Sequence, residues 1–155
     1  RMGRHGRVHC VQPRGNDTIA TALRSGCTSA IPVTSTTSIS GLQVGSVLDG
    51  NEVITACRSL GGTGYTVDDE AVWKWQARMA RDEGIFAEPA GAVALAGVAD
   101  AVSRGELSSD EPVVCLVTGS GFKDERSVLH LVGEESTPLV DGFVEFAAQV
   151  REAAR

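Results

Sequence analysis

Long apolar runs are missing from this chain. No stretch approaches the roughly 20 consecutive apolar residues that cross a bilayer, and the basic amino end, Arg1 to Arg7, lacks the apolar segment of a secretory signal. The expectation is a cytoplasmic protein with no membrane partner. Positive charge is also scarce: 14 Lys and Arg stand against 20 Asp and Glu, a formal net charge of -6. That balance argues against a broad phosphate-backbone footprint, so no nucleic acid is expected. Four cysteines, Cys10, Cys27, Cys57 and Cys115, form no CxxC pair and have no histidine at zinc spacing. Neither a metal site nor a redox motif is indicated. Cys10 and Cys115 lie in apolar runs and read as reduced core residues.

What is present reads as an α/β chain. At 155 residues, with 42% hydrophobic residues and 18 glycines, it has the size and composition of one domain. Residues 7–13, RVHCVQP, alternate like a strand and stop at Pro13. Asn16 or Asp17 can then cap a helix over 18–25 that Gly26 ends. Residues 27–40, rich in Ser and Thr, read as a long loop too polar for a core element. A helix over 51–60, a short strand over 63–67 and an amphipathic helix from Asp68 to Gly84 follow, the last with Val72, Trp75 and Met79 on one face. Pro89 suits the first turn of a helix of small residues over 90–102. Residues 112–118, PVVCLVT, have the unbroken apolar character of a parallel strand covered on both faces. Phe143, Phe146, Ala147 and Val150 then recur at helical spacing. The implied architecture is three-layered: a largely parallel, twisted sheet covered by helices.

The run VVCLVTGSGFKD, Val113 to Asp124, carries the most chemistry. A glycine-rich turn after a buried strand commonly holds a ligand. It is not a known phosphate cradle, because it lacks both the GxxxxGK[ST] and the GxGxxG spacing. Taken alone, the glycines also suit a plain strand-exit turn.

Three segments in order, TSISGLQVG (37–45), EGIFAEPAGAVALAG (83–97) and VTGSGFKD (117–124), together with VHCVQPRGNDTIATALRSG (8–26), resemble the carboxyl-terminal part of the pyridoxal-phosphate enzymes of the tryptophan-synthase β-subunit fold. Threonine synthase and threonine-dehydratase-like enzymes are the most similar members. The resemblance implies part of the large domain of a fold type II enzyme, with pyridoxal 5'-phosphate as cofactor of the parent protein and an amino acid as its substrate. The reaction implied is elimination or replacement at the β or γ carbon.

At matching positions, Thr118 corresponds to the hydroxyl residue that hydrogen-bonds the cofactor's pyridine nitrogen, and Gly119 follows it along the ring edge. Glu88 corresponds to the glutamate of the EP motif, and Gly41 to the glycine whose backbone approaches the ring. Each also has an ordinary reading: a carboxylate near a helix start, a turn glycine, a strand-end hydroxyl. His9 and His130 read as structural or exposed. Neither lysine of the chain, Lys74 or Lys123, matches the Schiff-base lysine, which in this family lies earlier, as does the glycine-rich phosphate loop.

The resemblance therefore implies that residues 1–155 are one domain, an incomplete carboxyl-terminal portion of a larger cofactor-binding domain, inactive alone and without a catalytic residue of its own. Ser120 stands where threonine synthases typically carry histidine and Phe122 where leucine is common, which puts a phosphohomoserine substrate in doubt. A homodimer or other self-association is expected. The alternative is a non-catalytic α/β ligand-binding or regulatory module.

Overall fold

The structure, a computed structural model, describes residues 6–132 and 142–153. Its centre is a two-stranded parallel sheet. β1 (Cys10–Pro13) pairs with β2 (Gly64–Val67) in the register Cys10 to Gly64 and Pro13 to Val67. Between them come a 3-10 turn (Arg14–Asn16), α1 (Ala20–Arg24) and α2 (Gly50–Ser59). After β2 follow α3 (Asp69–Glu83), α4 (Pro89–Ser103), a second 3-10 turn (Gly121–Lys123), α5 (Glu125–Val132) and α6 (Phe143–Ala153). A parallel pair needs a crossover between its strands, and α1 and α2 lie within it.

Successive strand residues face opposite sides of a sheet. Cys10 packs on the cluster of Ala22, Leu23, Ile54 and Cys57 from α1 and α2, while Val11 packs on the clusters built from α3 and α4. The two strands thus have helices on both faces, and the α/β layering with a parallel sheet is present. Gly64 and Gly97 set the spacing of the layers. A Cβ at Gly64 would overlap the backbone of Ala20 in α1, and one at Gly97 would lie 2.6 Å from Val11 Cγ1. The small residues of α4 let it approach the sheet closely.

α3 shows how its boundaries arise. Asp68 is extended (φ -81°, ψ 151°), Asp69 and Glu70 place negative charge in the first turn, and Gly84 closes the helix in the left-handed region at φ 69°. Its buried face is Val72, Trp73, Gln76 and Met79. Trp75 is only partly buried, with the Arg78 guanidinium 4.6 Å from its ring centre. Periodicity placed Trp75 on the buried face; the structure puts Trp73 in the main core instead and leaves Trp75 partly buried against it.

Two expectations change. Residues 27–40 form no helix or strand, but Ile39 is fully buried in the main core and Thr37 is nearly so. Asp69 holds them there, its carboxylate accepting from Thr37 Oγ1 (2.6 Å), the Ser38 N–H (2.7 Å) and Ser38 Oγ (2.8 Å). Hydroxyls that looked too polar for a core element anchor the loop instead. Residues 112–118 are extended without strand pairing among the described residues. Val114 is 89% and Leu116 78% exposed, whereas Cys115 and Val117 line a groove with Trp75, Met79 and Leu95. One face rests on α3 and α4 and the other is bare, because apolarity suits a segment to a sheet but pairing requires a neighbouring strand. Cys115 and Cys10 are partly buried rather than enclosed, and all four cysteines are free. α6 forms as its periodicity predicts, with Phe143, Phe146 and Val150 exposed.

Candidate functional site at the start of helix α4

Glu88 is extended (φ -63°, ψ 158°), and Pro89 begins α4 with its ring already set for a helical turn. The segment before it pairs with the glycine-rich turn. Ala87 bridges Ser120 in antiparallel sense, the Gly121 N–H donates to the Phe86 carbonyl (2.9 Å), and the Glu88 N–H donates to the Gly119 carbonyl (3.3 Å). The Phe86 and Phe122 rings meet edge to face with centres 4.9 Å apart. A Cβ at Gly121 would come within 2.5 Å of the Phe86 ring, so this position has no room for a side chain.

The four residues singled out from sequence surround this first turn of α4. Gly119 lies at φ 59°, and a Cβ on it would overlap the Glu88 carboxylate. The Thr118 carbonyl occupies the space where Gly91 would carry a side chain. Gly41, at φ 83°, comes from the long loop; a Cβ there would stand 3.5 Å from that of Ala90. The carboxylate of Glu88 is bound to Lys123 Nζ at 2.7 Å, and Thr118 Oγ1 donates to its Oε1 over a long 3.5 Å. Lys123, unassigned from sequence, is thus the counter-ion of Glu88. Lys74 is exposed on α3.

This donor set is neutral and shallow: one exposed threonine hydroxyl, two left-handed glycines that expose backbone, and a carboxylate already neutralised by a lysine. Such a surface suits the edge of a flat, weakly charged ring better than a phosphate. Gly41 also borders a cavity of about 280 Å³ whose walls include Asn16, Leu42, Val44, Asp49 and Gly50. Asn16 holds that loop by donating from Nδ2 to the carbonyls of Leu42 (2.8 Å) and Val44 (2.9 Å). Among the described residues, no group of three or more His, Cys, Asp or Glu side chains is placed to hold a metal ion, and no helix is long and apolar enough to cross a membrane.

The histidines lie elsewhere. His9 Nδ1 accepts from the Thr63 N–H (3.2 Å), and burial, then the nearby Arg7 charge, hold its pKa below the ordinary value. His130 stacks on Trp73, ring centres 4.1 Å apart. Burial pushes the Cys10 thiol up to about 12, and it raises those of Cys57 and Cys115 as well. Sequence reasoning passed over Gln76, Asp124 and Ser127, which support the site from behind. The available signal was Gln76 itself, a polar residue between Val72 and Met79 on an otherwise apolar stripe.

The family described as pyridoxal-phosphate dependent enzyme matches residues 1–119. Threonine synthase of Methanosarcina acetivorans is 34% identical over 144 residues, covering 92% of this chain and 34% of the relative. Threonine synthase of Methanocaldococcus jannaschii is 34% identical over 120 residues, covering 77% of this chain and 30% of the relative. A crystal structure of threonine deaminase from T.th. aligns with 63% of this chain and 35% of its own, at a TM-score of 0.48 and 22% identity. The chain spans about a third of the length of the curated relatives it matches. A match that takes in β1, the sheet crossover, α4 and Gly119 places the chain in the family of pyridoxal-phosphate dependent enzymes.

Proposed function

We propose that this chain is the ring-facing, carboxyl-terminal portion of a threonine synthase-like, pyridoxal-phosphate-dependent lyase that acts on an amino acid by elimination or replacement at the β or γ carbon. The observation that carries the reading is the convergence of Gly41, Glu88, Thr118 and Gly119, from three separate segments, on the first turn of α4. When bound, the cofactor supplies a ring that withdraws electrons from the substrate's α carbon. Thr118 would offer the pyridine nitrogen a neutral hydroxyl, which does not hold a proton there as a carboxylate would. Gly119 and Gly41 would let backbone approach the ring, and Glu88 would border it with its charge held by Lys123.

The 155 residues would form one domain that is a portion of a larger one. The bare face of Val114 and Leu116 supports this, since an apolar strand face is stable in water only when covered. The chain alone would not turn over amino acids, because neither lysine matches the family's Schiff-base lysine and Lys123 is engaged by Glu88. We place the parent enzyme in the cytoplasm as a homodimer.

The test begins with the coding sequence upstream of Arg1. If it encodes a lysine followed by a glycine-rich loop, the longer protein is expected to bind pyridoxal 5'-phosphate with a characteristic absorbance. Thr118→Val should weaken that binding about tenfold, as loss of one hydrogen bond to a ring nitrogen would. Absence of binding by the longer protein, or binding indifferent to both Thr118→Val and Gly41→Val, would sink the reading.

A further inference from the structure

Gln76 is 1% exposed on the apolar face of α3. A primary amide buried without partners is costly, so its place in a core calls for a specific set of bonds. Its Nε2 donates to the Ala87 carbonyl (2.7 Å) and to Ser127 Oγ (2.9 Å). Ser127, fully buried, donates onward to Asp124 Oδ2 (2.5 Å). The directions agree along the whole chain: an amide nitrogen with two hydrogens serves two acceptors, and the hydroxyl accepts once and donates once. Ala87 immediately precedes Glu88 and bridges Ser120. Asp124 ends the turn that carries Thr118 to Lys123, and its carbonyl accepts from Ser127 N–H to open α5. One side chain therefore reaches both halves of the ribbon that brings Glu88 and Thr118 together.

We propose that Gln76 is the positioning residue of the site. Its amide, through Ala87 on one side and through Ser127 and Asp124 on the other, sets the separation of the Glu88 segment from the Thr118 turn. It touches neither cofactor nor substrate and acts only through the groups it holds. That purpose rests on the ring-facing reading of the site, whereas the network can be tested with no cofactor present. The Trp73 and His130 stack independently ties α5 to α3, so loss of the amide is expected to loosen the ribbon while α5 stays docked.

The experiment is residue-resolved amide hydrogen exchange by NMR on the 155-residue chain. It compares Gln76→Leu and Ser127→Ala with Met79→Ala, a truncation on the same buried face that removes no hydrogen bond. The reporters are the Glu88 and Gly121 amides, which bond across the ribbon; the references are Leu23 and Cys27 at α1. In Gln76→Leu and Ser127→Ala, exchange at the reporters should rise about tenfold more than at the references, the response to a lost buried bond confined to one unit. Thr118 and Gly119 resonances should shift in both. Met79→Ala should accelerate reporters and references alike, and the double variant should exceed Gln76→Leu little, since both act on one network. If Gln76→Leu fails to fold, Ser127→Ala, which removes one oxygen, carries the comparison. Reporters that follow the references in these variants would reduce Gln76 to core filling and overturn the proposal. No cofactor enters this measurement, so that outcome stays separate from any failure to bind pyridoxal 5'-phosphate.

Discussion

Glycine at position 119 satisfies two demands at once: a backbone at φ 59° and a space already filled by the Glu88 carboxylate. Gly119→Ala is expected to destabilise the chain by about 1–2 kcal/mol in denaturant unfolding, chiefly from left-handed strain, with a smaller part from displacing the flexible Glu88 carboxylate. Gly84→Ala, at φ 69° with no atom near its missing Cβ, should cost only about 1 kcal/mol. If the two cost the same, the carboxylate contact contributes nothing. His9 makes a pH prediction. Its folded pKa lies below the ordinary value of 6.5, so above 6.5 it is neutral in both states and its contribution is fully present. As pH falls below 6.5 the unfolded chain takes up a proton that the folded chain refuses, and stability is lost down through the folded pKa. His9→Gln should flatten the stability curve in that window. An unchanged slope would show that the ring is not desolvated.

At the scale of elements, α4 depends on small residues where it meets the sheet. Its Gly97 faces Val11 of β1 with no room for a methyl group, so Gly97→Leu should destabilise by about 3 kcal/mol or more, measured by thermal or urea unfolding. A cost under about 0.5 kcal/mol would mean that helix and sheet separate easily. The small-residue composition of 90–102 made this close approach legible in sequence, as the acidic start and glycine stop made α3 legible. The choice of Trp73 over Trp75 was not legible, because helical periodicity restricts the buried face only to within about a residue. Residues 27–40 form the loop that their composition implies, but the burial of Thr37 and Ile39 within it was not legible. A hydroxyl bonded to Asp69 is buried as readily as an apolar group, but sequence does not reveal that partner.

At the scale of the whole molecule, the bare face of residues 113–117 is one of the exposed apolar surfaces among the described residues, the other notable one being α6. Val114 and Leu116 project from it into water while their neighbours contact α3 and α4. Val114→Lys with Leu116→Lys should leave unfolding stability within about 0.5 kcal/mol, since both side chains are exposed. Self-association through this face, measured by sedimentation or light scattering, should fall with the same change. Association undiminished by the two lysines would locate self-contact elsewhere, the exposed face of α6 being the next surface to substitute.

Local chemistry, written in sequence, determined the α/β class, the family and most of the strands and helices with their glycine and proline boundaries, though neither the unpaired state of 112–118 nor α5. These depend on periodicity, backbone preference and short motifs that act over a few residues. Only the tertiary structure decided that Gly41, Glu88, Thr118 and Gly119 gather around the first turn of α4, that Lys123 neutralises Glu88, and that Gln76 reaches behind both segments. Such pairings join residues far apart in the chain, Glu88 and Thr118 by 30 positions and Gln76 and Ser127 by 51. Whether a polar group is buried or solvated depends on the partner that folding brings to it.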